Sequence, residues 1–195
     1  FVPERKLRTD WEADGISESV LMTSRDGVHW YRQFMEAFLR PGPDPNNWTD
    51  RNIYIGVGIV PTGPTEISLY HMEHYRHPSA RLRRATLRTD GFVSVNAPYS
   101  GGELVTKPLV FDGSELVINF STSAVGSLRA ELQDDSGHAL EGYRASQSVE
   151  IYGDQIERVV AWQEGSDVSY LAGKPVRVRF VMKDADLYSI QFRSK

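Results

Sequence analysis

The sequence predicts an all-β protein whose C-terminal part is an antiparallel β-sandwich of jelly-roll type. Three observations lead there. Short apolar stretches alternate with period two, as in Leu116, Ile118 and Phe120, and again in Val176-Arg177-Val178-Arg179-Phe180. Gly, Pro and Asp clusters separate these stretches at the short intervals that sandwiches and barrels use. Helical patterning is confined to residues 33–39 and 168–171, enough for single turns only.

Residues 19–25 and 28–34 read as two strands joined at Asp26-Gly27, a hairpin in which Gly accepts the positive φ of a tight turn. Residues 41–50 (Pro-Gly-Pro-Asp-Pro-Asn-Asn-Trp-Thr-Asp) alternate prolines with turn formers and are expected to be irregular. Residues 53–60, apolar with two glycines, read as a buried, closely packed strand, and Pro61-Thr62-Gly63-Pro64 turns the chain. Strands follow over 66–72 and 82–88. A weak linker at Asp90-Gly91 divides the chain into residues 1–90 and 91–195. In the second part, strands are expected over 92–96, 102–111, 115–121, 126–133, 156–162, 175–183 and 187–193. Asp134-Asp135-Ser136-Gly137 forms a turn and Ala185-Asp186 the last hairpin.

Composition removes several function classes. The net charge is −4 and the only basic concentration is Arg81, Arg83, Arg84 and Arg88. On a strand these alternate between faces, so no nucleic-acid partner is expected. No apolar run reaches membrane-spanning length, so no membrane partner is expected either. The absence of cysteine excludes disulfides and thiolate metal sites. Gly56-Val57-Gly58 lacks the third glycine and the helix of a dinucleotide fingerprint, and there is no phosphate loop or nucleophile elbow.

Three stretches carry a family resemblance. Thr23-Ser24-Arg25-Asp26-Gly27-Val28-His29-Trp30 resembles the blade hairpin of sialidase-like and five-bladed-propeller glycosidases. Asn47-Trp48-Thr49-Asp50-Arg51-Asn52-Ile53-Tyr54 leads into a Gly-rich strand. The third stretch runs from Ile67-Ser68-Leu69-Tyr70 through Glu73-His74-Tyr75 to Arg88-Thr89-Asp90-Gly91-Phe92. Together they resemble the last blades of five-bladed glycoside hydrolases related to families 32, 43, 62 and 68. The end of the chain, from Leu171-Ala172-Gly173 to Ile190-Gln191-Phe192, is similar to the β-sandwich that follows such propellers. The resemblance implies partial propeller blades over 1–90 and a β-sandwich over 91–195. It also implies hydrolysis of O-glycosyl bonds by the full-length protein, a saccharide partner, and an extracellular or periplasmic setting.

A complete five-bladed propeller needs roughly 250–300 residues. The early blades, which carry most of the family's catalytic aspartates, have no counterpart in this sequence. The chain opens on Phe1 and is expected to be a piece of a longer protein with an incomplete active site. Two other functions stay open, a non-catalytic carbohydrate-binding module and a structural sandwich for assembly. Cut propeller edges would leave strands unpaired, so a homo-oligomer through residues before 90 is expected.

Glycoside hydrolysis uses two carboxylates. Glu73, set among histidines and tyrosines, is the candidate catalytic residue; the competing reading is a strand-end Glu bonded to a neighbouring Arg. Asp26 is explained by its turn. Trp48, Tyr54, Tyr70 and Tyr75 are candidate sugar platforms, with packing between blade and sandwich as the alternative, and Trp162, inside a strand pattern, reads as core. Arg51 and Asn52, ahead of the Gly-rich strand, are candidate hydroxyl binders. His71, His74 and His77 suggest a metal, but on an extended chain a spacing of three sends successive residues to opposite faces, so no metal site and no cofactor are expected. A structural calcium ion could be held by Asp134, Asp135, Asp184 and Asp186, against the reading of solvated turn acids.

Overall fold

The computed structural model describes residues 16–48 and 52–195. These are all-β, with several small antiparallel sheets and one larger, curled sheet. The chain divides into two compact units, one ending at Leu87 and the other comprising Arg88–Lys195.

In the first unit, β1 (Ser19–Val20) pairs with β4 (Ala37–Leu39), and β2 (Thr23–Ser24) with β3 (Trp30–Tyr31). The expected hairpin is present but short, because residues 25–29 form a loop closed by the Asp26 carboxylate. Its Oδ1 accepts the N–H groups of Val28 and His29 at 2.9 and 2.8 Å, and Oδ2 lies 2.6 Å from His29 Nδ1. Residues 37–39, expected as part of a helical turn, are strand β4 instead. A 3₁₀ turn does form at Pro45–Trp48, inside the stretch expected to be irregular. Asp44 caps it: Oδ1 accepts the Asn46 N–H at 3.0 Å and its carbonyl accepts that of Asn47 at 3.1 Å. Pro45 takes the first position, where the missing N–H costs nothing.

Next come β5 (Tyr54–Ile55), β6 (Val60–Gly63), β7 (Glu66–Glu73) and β8 (Arg81–Arg88), with β7 pairing to the other three. The buried strand expected over 53–60 is broken. Ile53 is buried, but Val57 is fully exposed and Tyr54, Ile59 and Val60 are largely so. The glycines explain this: Gly58 adopts φ +106°, which lets the chain leave the ladder after Gly56 has bonded Tyr70. Residues 61–63 belong to β6, so the turn falls at Pro64-Thr65.

The second unit holds β9 (Val95–Ala97), β10 (Gly102–Val105), β11 (Glu115–Gln133), β12 (Asp154–Val159) and β13 (Arg177–Arg193) in one antiparallel sheet. Its order is β10-β13-β11-β12, with β9 also on β13. Two expectations are corrected here. The strands over 115–121 and 126–133 are one continuous strand with a bulge between Thr122 and Ser127. The hairpin at Ala185-Asp186 does not exist: these residues pair with Ala97 and Asn96 of β9. Asp184, at φ +44°, absorbs the irregularity as a bulge, and its N–H donates to the Pro98 carbonyl. The bulge also switches which residues face inward, from Val178, Phe180 and Met182 before it to Ala185 and Leu187 after it.

The bends let one apolar face close upon itself. Leu116, Ile118, Phe120, Leu128, Ala130 and Leu132 of β11 are fully buried, and Val160, Trp162, Val168 and Val176 join them in a core that also takes in Phe111, Ile151 and Phe180. The 3₁₀ turn Ser169–Leu171 matches the short helical turn expected there. On the outer face, Arg179 joins Glu103 at 2.6 Å and Glu131 at 3.1 Å.

Candidate functional site

The β7–β8 connection concentrates the polar side chains of the first unit. Glu73 ends β7, and its Oε2 accepts from Arg81 at 2.8 Å and lies 3.8 Å from Arg83. Only 15% of the Glu73 side chain is exposed. Arg84 pairs with Glu66 at 3.2 Å, and Arg88 with Asp154 at 2.7 Å. Each arginine of the basic stretch therefore has a carboxylate partner.

Strand alternation separates Glu73 from the aromatic candidates. Tyr54 is the cross-strand partner of Met72, so its ring shares the face of Met72 and Tyr70, opposite to Glu73. Tyr54 meets Tyr75 edge to face, with ring centroids 5.0 Å apart. Trp48 is half-buried and donates its indole N–H to the Gly42 carbonyl at 2.7 Å. Asn52 is buried, its backbone bridged to Ser17. Arg51 lies outside the described residues. The structure thus joins Tyr54 to Tyr75 and gives Glu73 to the arginines.

His74 sits at the centre of a buried network. Its Nε2 lies 3.0 Å from Asp44 Oδ2 and its Nδ1 2.6 Å from Ser79 Oγ, while its N–H donates to Asn47 Oδ1 at 2.8 Å. The connectivity is that of a Ser-His-Asp triad, but the chemistry is not. A triad needs N–H groups aimed at an oxyanion. Here the N–H groups of Ser79 and Ala80 donate to His77 Nδ1 and the His77 carbonyl. Ser79 Oγ is also 2.8 Å from His77 Nδ1, so it ties two imidazoles together. His74 and Arg76 both adopt positive φ, at 55° and 59°. The network holds this contorted turn in place. The hydrogen bond from His74 keeps the Asp44 carboxyl below the ordinary range. Nearby His71 is almost buried, its Nδ1 without a hydrogen-bond partner, and burial lowers its pKa.

Among the described residues no three His, Asp or Glu side chains are grouped to hold a metal ion. Asp134 instead accepts the His138 N–H at 2.8 Å, and Asp186 accepts from Ser94 and Asn96 at 2.6 and 3.1 Å.

A cleft in the second unit lies outside every residue singled out from sequence except Trp162, which was read as core. It encloses about 270 Å³ and is lined by Glu141, Tyr143, Trp162, Glu164, Asp167 and Tyr170, with Gly142 and Gly165 between them. Trp162 is buried, as its strand pattern suggested, and anchors its indole N–H on the Ala130 carbonyl at 2.9 Å. Tyr143 stands edge-on to it at 5.2 Å and donates its hydroxyl to the Asp167 carbonyl at 2.8 Å. Burial, with the charges of Asp167 and Glu164 adding, raises the Tyr143 pKa, so the phenol stays a donor. The signal in the sequence was two turns that each put a Glu beside a Gly, Glu141-Gly142-Tyr143 and Glu164-Gly165; nothing in either turn announced that they meet.

No family model, curated protein or solved structure matches this chain.

Proposed function

We propose that the chain is the C-terminal portion of a glycoside-hydrolase-type protein and that its own part is to bind a saccharide rather than cleave it. The observation that carries this reading is the Tyr54–Tyr75 pair. Tyr54 remains 49% exposed beside Tyr70 and Met72, an aromatic surface of the kind on which pyranose rings stack. Hydrolysis by the chain alone is not part of the proposal. Glu73 is engaged by Arg81, and a second carboxylate across a scissile bond is needed. On this reading the β5/β6–β7–β8 meander is what remains of a propeller blade, and the curled sheet of the second unit is a jelly-roll-like sandwich. The antiparallel order of both sheets is compatible with that descent.

The test is an NMR titration of the chain against a panel of neutral oligosaccharides, with wild type and Tyr54→Ala. Millimolar binding by wild type, weakened about tenfold in the variant, is expected. Equal binding by both, or turnover of any glycoside by the isolated chain, would overturn it.

A second reading, assembly through the first unit, has its own support. Val57 and Ile59, in the loop between β5 and β6, and Val60 and Leu82, on β6 and β8, are exposed, apolar surface suited to a second copy. Light scattering at high concentration decides it: a monomer refutes assembly, a dimer that Val57→Asp disperses upholds it.

A further inference from the structure

We propose that the cleft between residues 141–143 and 162–170 is a second saccharide site, selective for a neutral or amino sugar over an acidic one. The proposal takes its ligand class from the saccharide reading above but stands on a different unit and different residues.

The cleft is built rather than incidental. Its floor is rigid: Trp162 is 2% exposed and hydrogen-bonded, and Tyr143 is packed edge-on to it. Its opening depends on two glycines at positive φ, Gly142 at 86° and Gly165 at 124°, which leave the walls without side chains. A Cβ on Gly142 would lie 3.8 Å from Glu164 Oε2, which places that carboxylate over the bare backbone. The volume of about 270 Å³ accommodates one monosaccharide ring.

The rim sets the chemistry. Glu164 forms no hydrogen bond or ion pair among the described residues, so both its oxygens are open to hydroxyl or ammonium donors. Glu141 is held by Arg144 at 2.8 Å, and Asp167 Oδ1 accepts the Ser169 N–H at 2.8 Å. Those two are engaged, and Glu164 is the free acceptor of the rim. Tyr170 contributes a ring that is 77% exposed, with Lys174 Nζ 3.8 Å from its centroid. An aromatic surface beside unpaired carboxylate oxygens fits a polyol, and the three carboxylates of the rim outnumber the cations Arg144 and Lys174, which leaves a net negative charge against a uronate.

The experiment is an NMR titration of the ¹⁵N-labelled chain with glucosamine, glucose, glucuronate and tetramethylammonium, on wild type, Tyr170→Ala and Glu164→Gln. Tyr170 and Glu164 are exposed, so both variants should keep the wild-type spectrum elsewhere. Glucosamine and glucose are expected to shift the amides of Gly142, Glu164, Gly165 and Tyr170. Each variant should weaken that binding about tenfold, and glucuronate should bind at least about tenfold more weakly. No shift at these amides with any sugar would overturn the proposal. So would tetramethylammonium shifting them as strongly as the sugars, since the cleft would then select charge alone. Tyr54→Ala leaves this site intact, so failure here and failure of the first-unit reading are separately visible.

Discussion

Replacing Arg179 with Met removes the one cation that two carboxylates share while keeping the apolar stem that lies along the sheet. The two pairs are unequal. The Glu103 side chain is 50% exposed, so water replaces the lost partner and the pair contributes little. The Glu131 side chain is 8% exposed. Removing one member of a fully buried pair costs about 3–5 kcal/mol. Glu131 keeps the Ala145 N–H at 3.1 Å and the Gln133 amide at 2.8 Å, and Arg179 itself is 27% exposed. These reduce the expected loss to about 2 kcal/mol, a fall in melting temperature of roughly 10 °C. The assay is thermal denaturation of the full chain followed by near-ultraviolet circular dichroism across pH. Burial pushes the Glu131 carboxyl up, but the Ala145 N–H, the Gln133 amide and Arg179 together bring it below its ordinary value. In the wild type its contribution is therefore complete above the unfolded value of about 4.3 and is lost as pH falls through the folded one. Without Arg179 the Ala145 N–H and the Gln133 amide remain, so the folded value moves back up and the stabilisation present above about 4.3 shrinks. The gap between the proteins should close in acid. A gap below about 0.5 kcal/mol at neutral pH, or one independent of pH, refutes the reasoning.

Gly126→Ala should destabilise the second unit by about 2–3 kcal/mol, measured by urea denaturation, since a Cβ there would stand 2.3 Å from the Asp184 carbonyl oxygen and 2.8 Å from that of Lys183. Backbone atoms at the crossing of two bulges cannot yield, so a neutral result would contradict the bulge packing. In the first unit, Asp26 and Asp44 are both held below the ordinary carboxylate range, Asp26 chiefly by the His29 side chain and Asp44 chiefly by that of His74. Their stabilisation is present above about 3.9 and lost as pH falls through the depressed folded values. Asp44→Asn should flatten the acid limb of the first unit, read from the amide signals of Asn47 and His74; an unchanged limb would remove Asp44 from the network.

The sequence by itself determined the class and most of the elements. Period-two alternation made the first half of β11 and the start of β13 legible; in β13, Val178, Phe180 and Met182 are buried while Arg177, Arg179 and Val181 between them are only half-buried. It also showed that Asp26 serves its turn and Trp162 the core. Local pattern misled where a contact from elsewhere chose between conformations. Residues 53–60 are apolar enough for a buried strand, but nothing covers Val57 and two glycines let it swing out. Ala185-Asp186 has turn chemistry, but β9 supplies partners that keep the chain extended, and Asp184 takes the strain. The candidate site shows the same limit. Sequence proximity grouped Glu73 with Tyr54 and Tyr75; the pleat of β7 sets Glu73 on the opposite face, towards Arg81 and Arg83. Only tertiary structure brought residues 141–143 against 162–170, because a cleft is made by backbone segments meeting across distance, and no one-dimensional period records that meeting.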